Sequence, residues 1–348
     1  MTQVATNLIA RKLVETAREM LYITAGKIMK RVRILVPTYN EEKNVEALAN
    51  AIINHFETEL KEYDYFINFI DNKSTDHTRD IIRNMCAQNQ RIKAIFNAKN
   101  FGQFNSPFHG LLQNDIGGGS DCTIIMCADF QDPVDMIKKF VLKWEEGYQV
   151  VAGIKTKSKE NKIMRFLRSI YYKMIKKMSS VQQIEHFTGF ALYDNSFIDV
   201  LKTIDDPTPF IRGLVAELCG NIATIEYTQQ KRKAGKTKNN FKTLYDAAML
   251  SVTTYTKRIP RCATIFGGIL SGLSFAGLIA TIVLYCVLPG FNLGWVLFSG
   301  LAFIGFLNMF FIGMLGEYIV NMNTRLLHRP LAVEQERLNC DADAPKVR

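Results

Sequence analysis

From residue 31 onward, short apolar runs alternate with stretches whose apolar residues recur at helical spacing. VRILVP (32–37), YFINFID (65–71), IKAIFN (92–97), CTIIMCAD (122–129) and YQVVAGI (148–154) predict five strands. Between them, EEKNVEALANAIINHFETEL carries a helical apolar stripe. STDHTRDIIRNMCAQ opens on the Ser/Thr/Asp of a capped helix, and a further helical segment lies near 103–114. PVDMIKKFVLKWEEG puts proline in a first helical turn. This alternation predicts an α/β fold with a mostly parallel sheet and helices on both faces.

The pattern changes after residue 261. From Cys262 to Gly316 there is no charged residue, and a bilayer span needs about 20 apolar residues. Pro289, Gly290 and Asn292 interrupt the run. Two membrane helices are expected, 262–288 and 293–316. Lys257, Arg258 and Arg261 precede the first, and Arg325, His328 and Arg329 follow the second. Basic flanks stay cytoplasmic, so the chain before them is expected in the cytoplasm of a bacterial inner membrane. The expected plan is an amphipathic helix over 1–30, a catalytic unit over 31–240, a juxtamembrane helix over 241–261, the two spans, and a cytoplasmic tail over 317–348. Residues 1–30 carry charges scattered among apolar positions and no unbroken signal-peptide core. The seven cysteines show no C-x-x-C pair, which fits reduced thiols. A net charge of +10 beside two spans favours membrane lipids and phosphate substrates over nucleic acid.

Open parallel sheets bind ligands beyond the carboxyl ends of their strands. Here those ends carry Tyr39-Asn40-Glu41, Asp71-Asn72, Asn97 with Asn100, and Asp129 with Gln131. Asp129 and Gln131 are two apart, so on an extended segment they share a side. A carboxylate and an amide oxygen suit Mg²⁺ or Mn²⁺ holding a diphosphate; the alternative is that Asp129 or Asp132 caps the helix near Pro133. Ser74, Thr75 and Asp76 supply capping groups, which leaves Asp71 free to meet a nucleobase. Pro37 and Tyr39 can wall a base pocket or simply pack.

Together these residues resemble glycosyltransferase family 2, inverting enzymes with the GT-A nucleotide-sugar fold. VPTYNEEKNV is similar to the family's opening strand and turn, and DNKSTDHT to its nucleotide loop. NFGQFNSPFHGL is similar to the next helix start, and ADFQDP to the segment of members that glycosylate polyprenyl phosphates. FTGFALYD, IRGLVAELCG, RKAGKTKNNF and the terminal GEYI…HRP continue the likeness over roughly 31–331. The resemblance implies nucleotide-sugar binding by Pro37, Tyr39, Glu41, Asp71 and Asp129. It implies metal ligation by Asp129 and Gln131, and lipid-phosphate contacts by Lys155, Arg165, Ser169, Arg212, Arg232 and Lys238. Asp129 and Asp132 are the catalytic candidates, with Asp132 either capping the next helix or orienting the sugar. Several positions depart from the pattern. Cys127 stands where relatives carry the first acid of D-x-D, Lys73 replaces a loop glycine, and Gly189 replaces an aspartate often proposed as the base. Thr237 stands in for a serine.

The missing base has a physical answer, because a polyprenyl phosphate is already an anion and needs positioning and charge shielding instead. The segment 155–177 holds nine basic residues and one acid, with apolar residues at helical spacing between them, the pattern of an interfacial helix. Arg165 and Ser169, four apart, share a helix face. The expected reaction is inverting transfer from a nucleoside-diphosphate sugar, UDP-glucose first among the candidates by resemblance, to undecaprenyl or another polyprenyl phosphate. A homotetramer through Gly-rich membrane helices is expected. A processive polysaccharide synthase, a transporter and a catalytically decayed nucleotide-sugar binder are the rival readings. QQKRKAG lacks the tryptophan of a synthase motif, and the spans hold no interior charge for a polar cargo.

Overall fold

The computed structural model describes residues 29–157, 184–206, 209–230 and 330–340, with scattered helical positions between 301 and 322. The chain opens on β1 (Arg31–Thr38), α1 (Val45–Glu59), β2 (Asp64–Asp71), α2 (Thr78–Gln88), β3 (Ile92–Asn97) and α3 (Gly102–Leu112). It continues through β4 (Cys122–Ile125), α4 (Met136–Glu145), β5 (Val150–Lys157), β6 (Phe187–Asp194), α5 (Asn195–Lys202), α6 (Ile211–Leu218) and β7 (Ile222–Thr228). The last strand, β8 (Glu334–Leu338), comes from near the end of the chain.

All eight strands form one sheet in the order β7-β5-β6-β4-β1-β2-β3-β8. β1 pairs in parallel with β2 and β4, β2 with β3, and β5 with β7. The antiparallel members are β6, inserted between β4 and β5, and β8 on the free edge of β3. This is the mostly parallel α/β sheet that the sequence pattern predicts. The apolar strand runs are explained by burial on both faces. Ile34, Val36, Ile67 and Phe69 pack toward α1, α2 and α4, whereas Leu35, Phe66, Ile70 and Ile95 pack toward α3 and α5. Each such side chain contributes about 1.5–3 kcal/mol by leaving water.

Arg33 interrupts this apolar pattern and is fully buried. It donates to Thr123 Oγ1 (2.9 Å) and to the carbonyls of Gly110 (3.0 Å), Leu111 (2.7 Å) and Gln113 (2.5 Å). Those carbonyls close the C-terminus of α3, where a cation is favoured. Burial pushes the Arg33 guanidinium down to about 9, partly offset by Asp115 and Cys122.

The predicted spans 262–288 and 293–316 fall almost wholly outside the described residues, as do 1–28 and 241–261. Among the described residues, no helix is long and apolar enough to cross a membrane. The described positions from 301 to 322 are helical, and Leu301, Ile312, Leu315, Ile319 and Met322 are exposed there.

Candidate functional site

The parallel strands β1 to β5 point their carboxyl ends to one rim. At that rim the turns after β1 and β2 are stitched together. Asn72 N donates to the Thr38 carbonyl (2.9 Å) and Asn40 N to Ser74 Oγ (2.8 Å). Thr75 N donates to Asn40 Oδ1 (2.7 Å) and Glu41 N to Thr78 Oγ1 (2.8 Å). Asn40 and Lys73 both take positive φ, 57° and 65°, a region that asparagine tolerates better than lysine. Glu41 accepts from Asn44 Nδ2 (2.7 Å), and Pro37, Tyr39 and Glu41 are partly exposed at the rim. The structure therefore brings Pro37, Tyr39, Glu41 and Asp71 together.

Asp71 is not free, contrary to the sequence expectation. It is fully buried and accepts from Ser74 N (3.0 Å), from the Ser74 hydroxyl, and from Arg79 Nε (2.5 Å). Arg79 also donates through Nη2 to the Asn97 carbonyl (2.6 Å). The carboxylate thus fixes the loop from behind. Arg79 went unremarked in the sequence, though a basic residue on the helix face shared with Ile82, Met85 and Cys86 was a visible signal.

The second half of the rim is the turn after β4. That strand ends at Ile125, and Phe130 takes φ 62°, so Asp129 and Gln131 do not lie on an extended segment. They are held close by a turn in which Gln131 N donates to Asp129 Oδ1 (3.0 Å). Asp132 does not cap the following helix, which begins at Met136. Its Oδ2 accepts from Cys127 N (2.9 Å) and its Oδ1 from Tyr227 Oη (3.2 Å). Gln230 N adds a bond to the Gln131 carbonyl (3.2 Å), so the end of β7 pins the turn from outside. Burial pushes the Asp132 carboxyl up to about 6, against those two donors and with the Asp129 charge adding to the rise. Burial and the Asp132 charge also raise the Tyr227 phenol, which keeps it a donor.

Lys155 pairs in register with Tyr227 near the carboxyl end of β5. Gly189 opens the antiparallel β6 at the same rim, with φ 101°. Among the described residues, a Cβ at Gly189 would meet only Ile211 Cγ2, at 4.0 Å, and Arg212 follows Ile211 at the start of α6. The structure thus brings Lys155 and Arg212 to the rim. Arg165, Ser169, Arg232 and Lys238 lie outside the described residues.

The glycosyl transferase family 2 profile matches residues 33–201, which span both halves of this rim. The chain is a glycosyltransferase with a family 2 domain. It is 27% identical over 311 residues to the uncharacterized glycosyltransferase YkcC of Bacillus subtilis, covering 87% of this chain and 93% of that protein. It is 27% identical over 305 residues to the bactoprenol glucosyl transferase of Shigella phage SfV, covering 86% and 96%. It shares the same identity over 305 residues with a prophage bactoprenol glucosyl transferase homolog of Escherichia coli, covering 86% and 97%. A solved glucosyl-3-phosphoglycerate synthase from Mycobacterium tuberculosis is similar at TM-score 0.46 and 13% identity, covering 65% of this chain and 78% of that one, too distant to bear on function.

Within this glycosyltransferase the departures acquire physical reasons. The left-handed backbone at Gly189 favours glycine over any side chain. Cys127 is an exposed thiol at the lip of the turn, and its backbone N–H donates to Asp132 Oδ2 at 2.9 Å. Among the described residues, no three His, Cys, Asp or Glu side chains cluster as a metal cage. Asp129 with Gln131 is a hard-oxygen pair that fits Mg²⁺ or Mn²⁺ if a diphosphate supplies further oxygens.

Proposed function

We propose that the chain transfers a sugar, with inversion, from a nucleoside-diphosphate sugar to a polyprenyl phosphate, UDP-glucose or a related UDP-sugar being the donor. The reading is carried by one observation: the stitched 38–42 and 71–78 loops and the Asp129–Asp132 turn share a single rim of a family 2 domain. The names of the bactoprenol relatives support a lipid phosphate as acceptor.

In this reading the 38–42 and 71–78 loops seat the nucleotide. Asp129 and Gln131 hold Mg²⁺ or Mn²⁺, which would neutralise charge on the departing diphosphate. Asp132, fixed by Cys127 N–H and Tyr227, keeps that turn in shape and faces the sugar. A phosphate oxygen of the lipid attacks the anomeric carbon while the bond from that carbon to the diphosphate oxygen breaks. The electron pair leaves with the nucleoside diphosphate. No proton has to be removed from an ionised phosphate, so glycine at position 189 is compatible with the step. Lys155 and Arg212 sit where they can offset repulsion between two anionic substrates. The basic segment 155–177 and the apolar stretch 262–316 support a site at the cytoplasmic face of a bacterial inner membrane, with the chain crossing it twice. A homotetramer built through those membrane segments belongs to the same proposal.

The test is a screen of nucleotide sugars against undecaprenyl phosphate in membranes carrying the protein, with the lipid product identified by mass. Nucleoside diphosphate release that requires the lipid phosphate is the expected result. Binding of a nucleotide sugar with no transfer to any lipid phosphate would instead mark a binder without catalysis.

A further inference from the structure

The last strand of the sheet brings a residue from the far end of the chain into the donor loops. β8 lies on β3, with Ala94 opposite Leu338, Ile95 opposite Arg337, Phe96 opposite Glu336, and Asn97 opposite Glu334. Gln335 has no partner in that register: it is the extra residue of a β-bulge. Bulges re-aim side chains, and they concentrate beside active sites. Here the effect can be followed residue by residue. Arg337 donates to Gln113 Oε1 (2.9 Å) on the α3 side, and Glu336 accepts from Arg83 (2.8 Å) on the α2 side. Simple alternation would send Gln335 to the α3 side with Arg337. The bulge reverses this. Glu334 turns to His109 of α3 (2.7 Å), and Gln335 turns to α2.

There the single oxygen Gln335 Oε1 accepts from Arg79 Nη1 (3.2 Å) and from Lys73 Nζ (3.2 Å). Arg79 is the cation that holds buried Asp71 and the Asn97 carbonyl. Lys73 is the residue at φ 65° inside the nucleotide loop. One amide thus ties the loop and its supporting arginine to a strand that enters the sheet after the apolar stretch. The strand itself is firmly seated. Ala98 N donates to the Val333 carbonyl (2.9 Å), and Asn339 Nδ2 donates to the carbonyls of Cys86 (2.7 Å) and Ile92 (2.8 Å).

We propose that Gln335 is a positioning residue for donor binding: β8, docked on β3, holds the 71–79 segment through Lys73 and Arg79 in the shape that receives the nucleotide. The proposal rests on the donor reading above and extends it to the end of the chain. Lysine in place of a loop glycine is then the partner of the C-terminal strand.

The full chain, purified in detergent, is titrated with UDP and with GDP in the presence of Mn²⁺. Gln335→Leu removes the acceptor with little change of volume. It is expected to weaken nucleotide binding about tenfold and to raise donor KM equally, with kcat within about twofold of wild type. Gln335→Glu keeps an acceptor for both cations and is expected to bind like wild type. Lys73→Met is expected to weaken binding less, and its effect to be non-additive with Gln335→Leu. Wild type that binds neither nucleotide would sink the donor reading itself. Wild type that binds while Gln335→Leu matches it overturns this inference alone. So does a Gln335→Leu protein that loses kcat together with thermal stability, because that marks a merely structural contact.

Discussion

The two halves of the rim are built in opposite ways. The donor half is closed on itself: Asp71, Arg79, Asn40, Ser74 and Thr78 bond to one another and to backbone. The half around Asp129, Gly189, Lys155 and Arg212 is tied across elements instead: Tyr227 and Gln230, far along the chain, pin its turn, and among the described residues a Cβ at Gly189 would reach no atom nearer than Ile211 Cγ2 at 4.0 Å. A small rigid ligand such as a nucleotide suits a pocket made in advance, since pre-organisation lowers the entropy lost on binding. A polyprenyl phosphate, itself an anion, suits a rim that carries Lys155 and Arg212.

That contrast can be broken most sharply at Asp129. Asp129→Ala is expected to lower transfer by on the order of 10²–10³-fold while folding persists, as read by product formation beside circular dichroism. Full transfer in that variant would remove the turn from the chemistry. Arg79→Ala addresses the closed half. It strands a carboxylate that is 0% exposed beside an arginine that is 10% exposed, and losing one partner of a buried pair costs about 3–5 kcal/mol. Denaturant unfolding measures this, and a loss under about 1 kcal/mol would show the closed half to be looser than its geometry.

The smallest effect expected is a pH dependence of β8 docking. Burial pushes the Glu334 carboxyl up, but hydrogen bonds and charge from His109 and Arg337 outweigh it and hold it at about 2. Unfolded, it would titrate near 4.5. Its contribution is therefore complete above about pH 4.5 and is lost as pH falls from there toward 2. Protection factors of the β3 and β8 amides, corrected for intrinsic exchange at each pH, should fall in that window in wild type and lose this dependence in Glu334→Gln. Equal dependence in both proteins would assign the effect to other groups.

Much of the sheet was legible because strands buried on both faces leave dense apolar runs: β1, β2, β3 and β5 lie within a few residues of the expected bounds. The first strand residues of β4 were also readable, but Asp129 was placed on its extension, and the left-handed Phe130 has no sequence signature that excludes this. β8 was illegible. EQERL carries one apolar residue, because an edge strand flanked by charged helix faces has little to bury, and the catalytic unit expected to close at 240 did not include it. Asp71 and Asp132 were legible as polar groups near strand ends, but the bonds they make were not. A carboxylate at a strand end looks the same whether it meets a ligand, caps a helix, or braces a loop through Arg79 or Tyr227. The basic residues Arg165, Arg232 and Lys238 remain readings of the sequence.

The order of the strands has one mechanical consequence. Chain leaves the sheet from its outermost strand on one flank, β7, and re-enters as the outermost strand on the other, β8. Seven strand spacings of about 4.8 Å separate those flanks, on the order of 34 Å. Residues 231–329 are therefore tethered to the domain at two separated points, and a pull on that stretch would be shared between both flanks of the sheet.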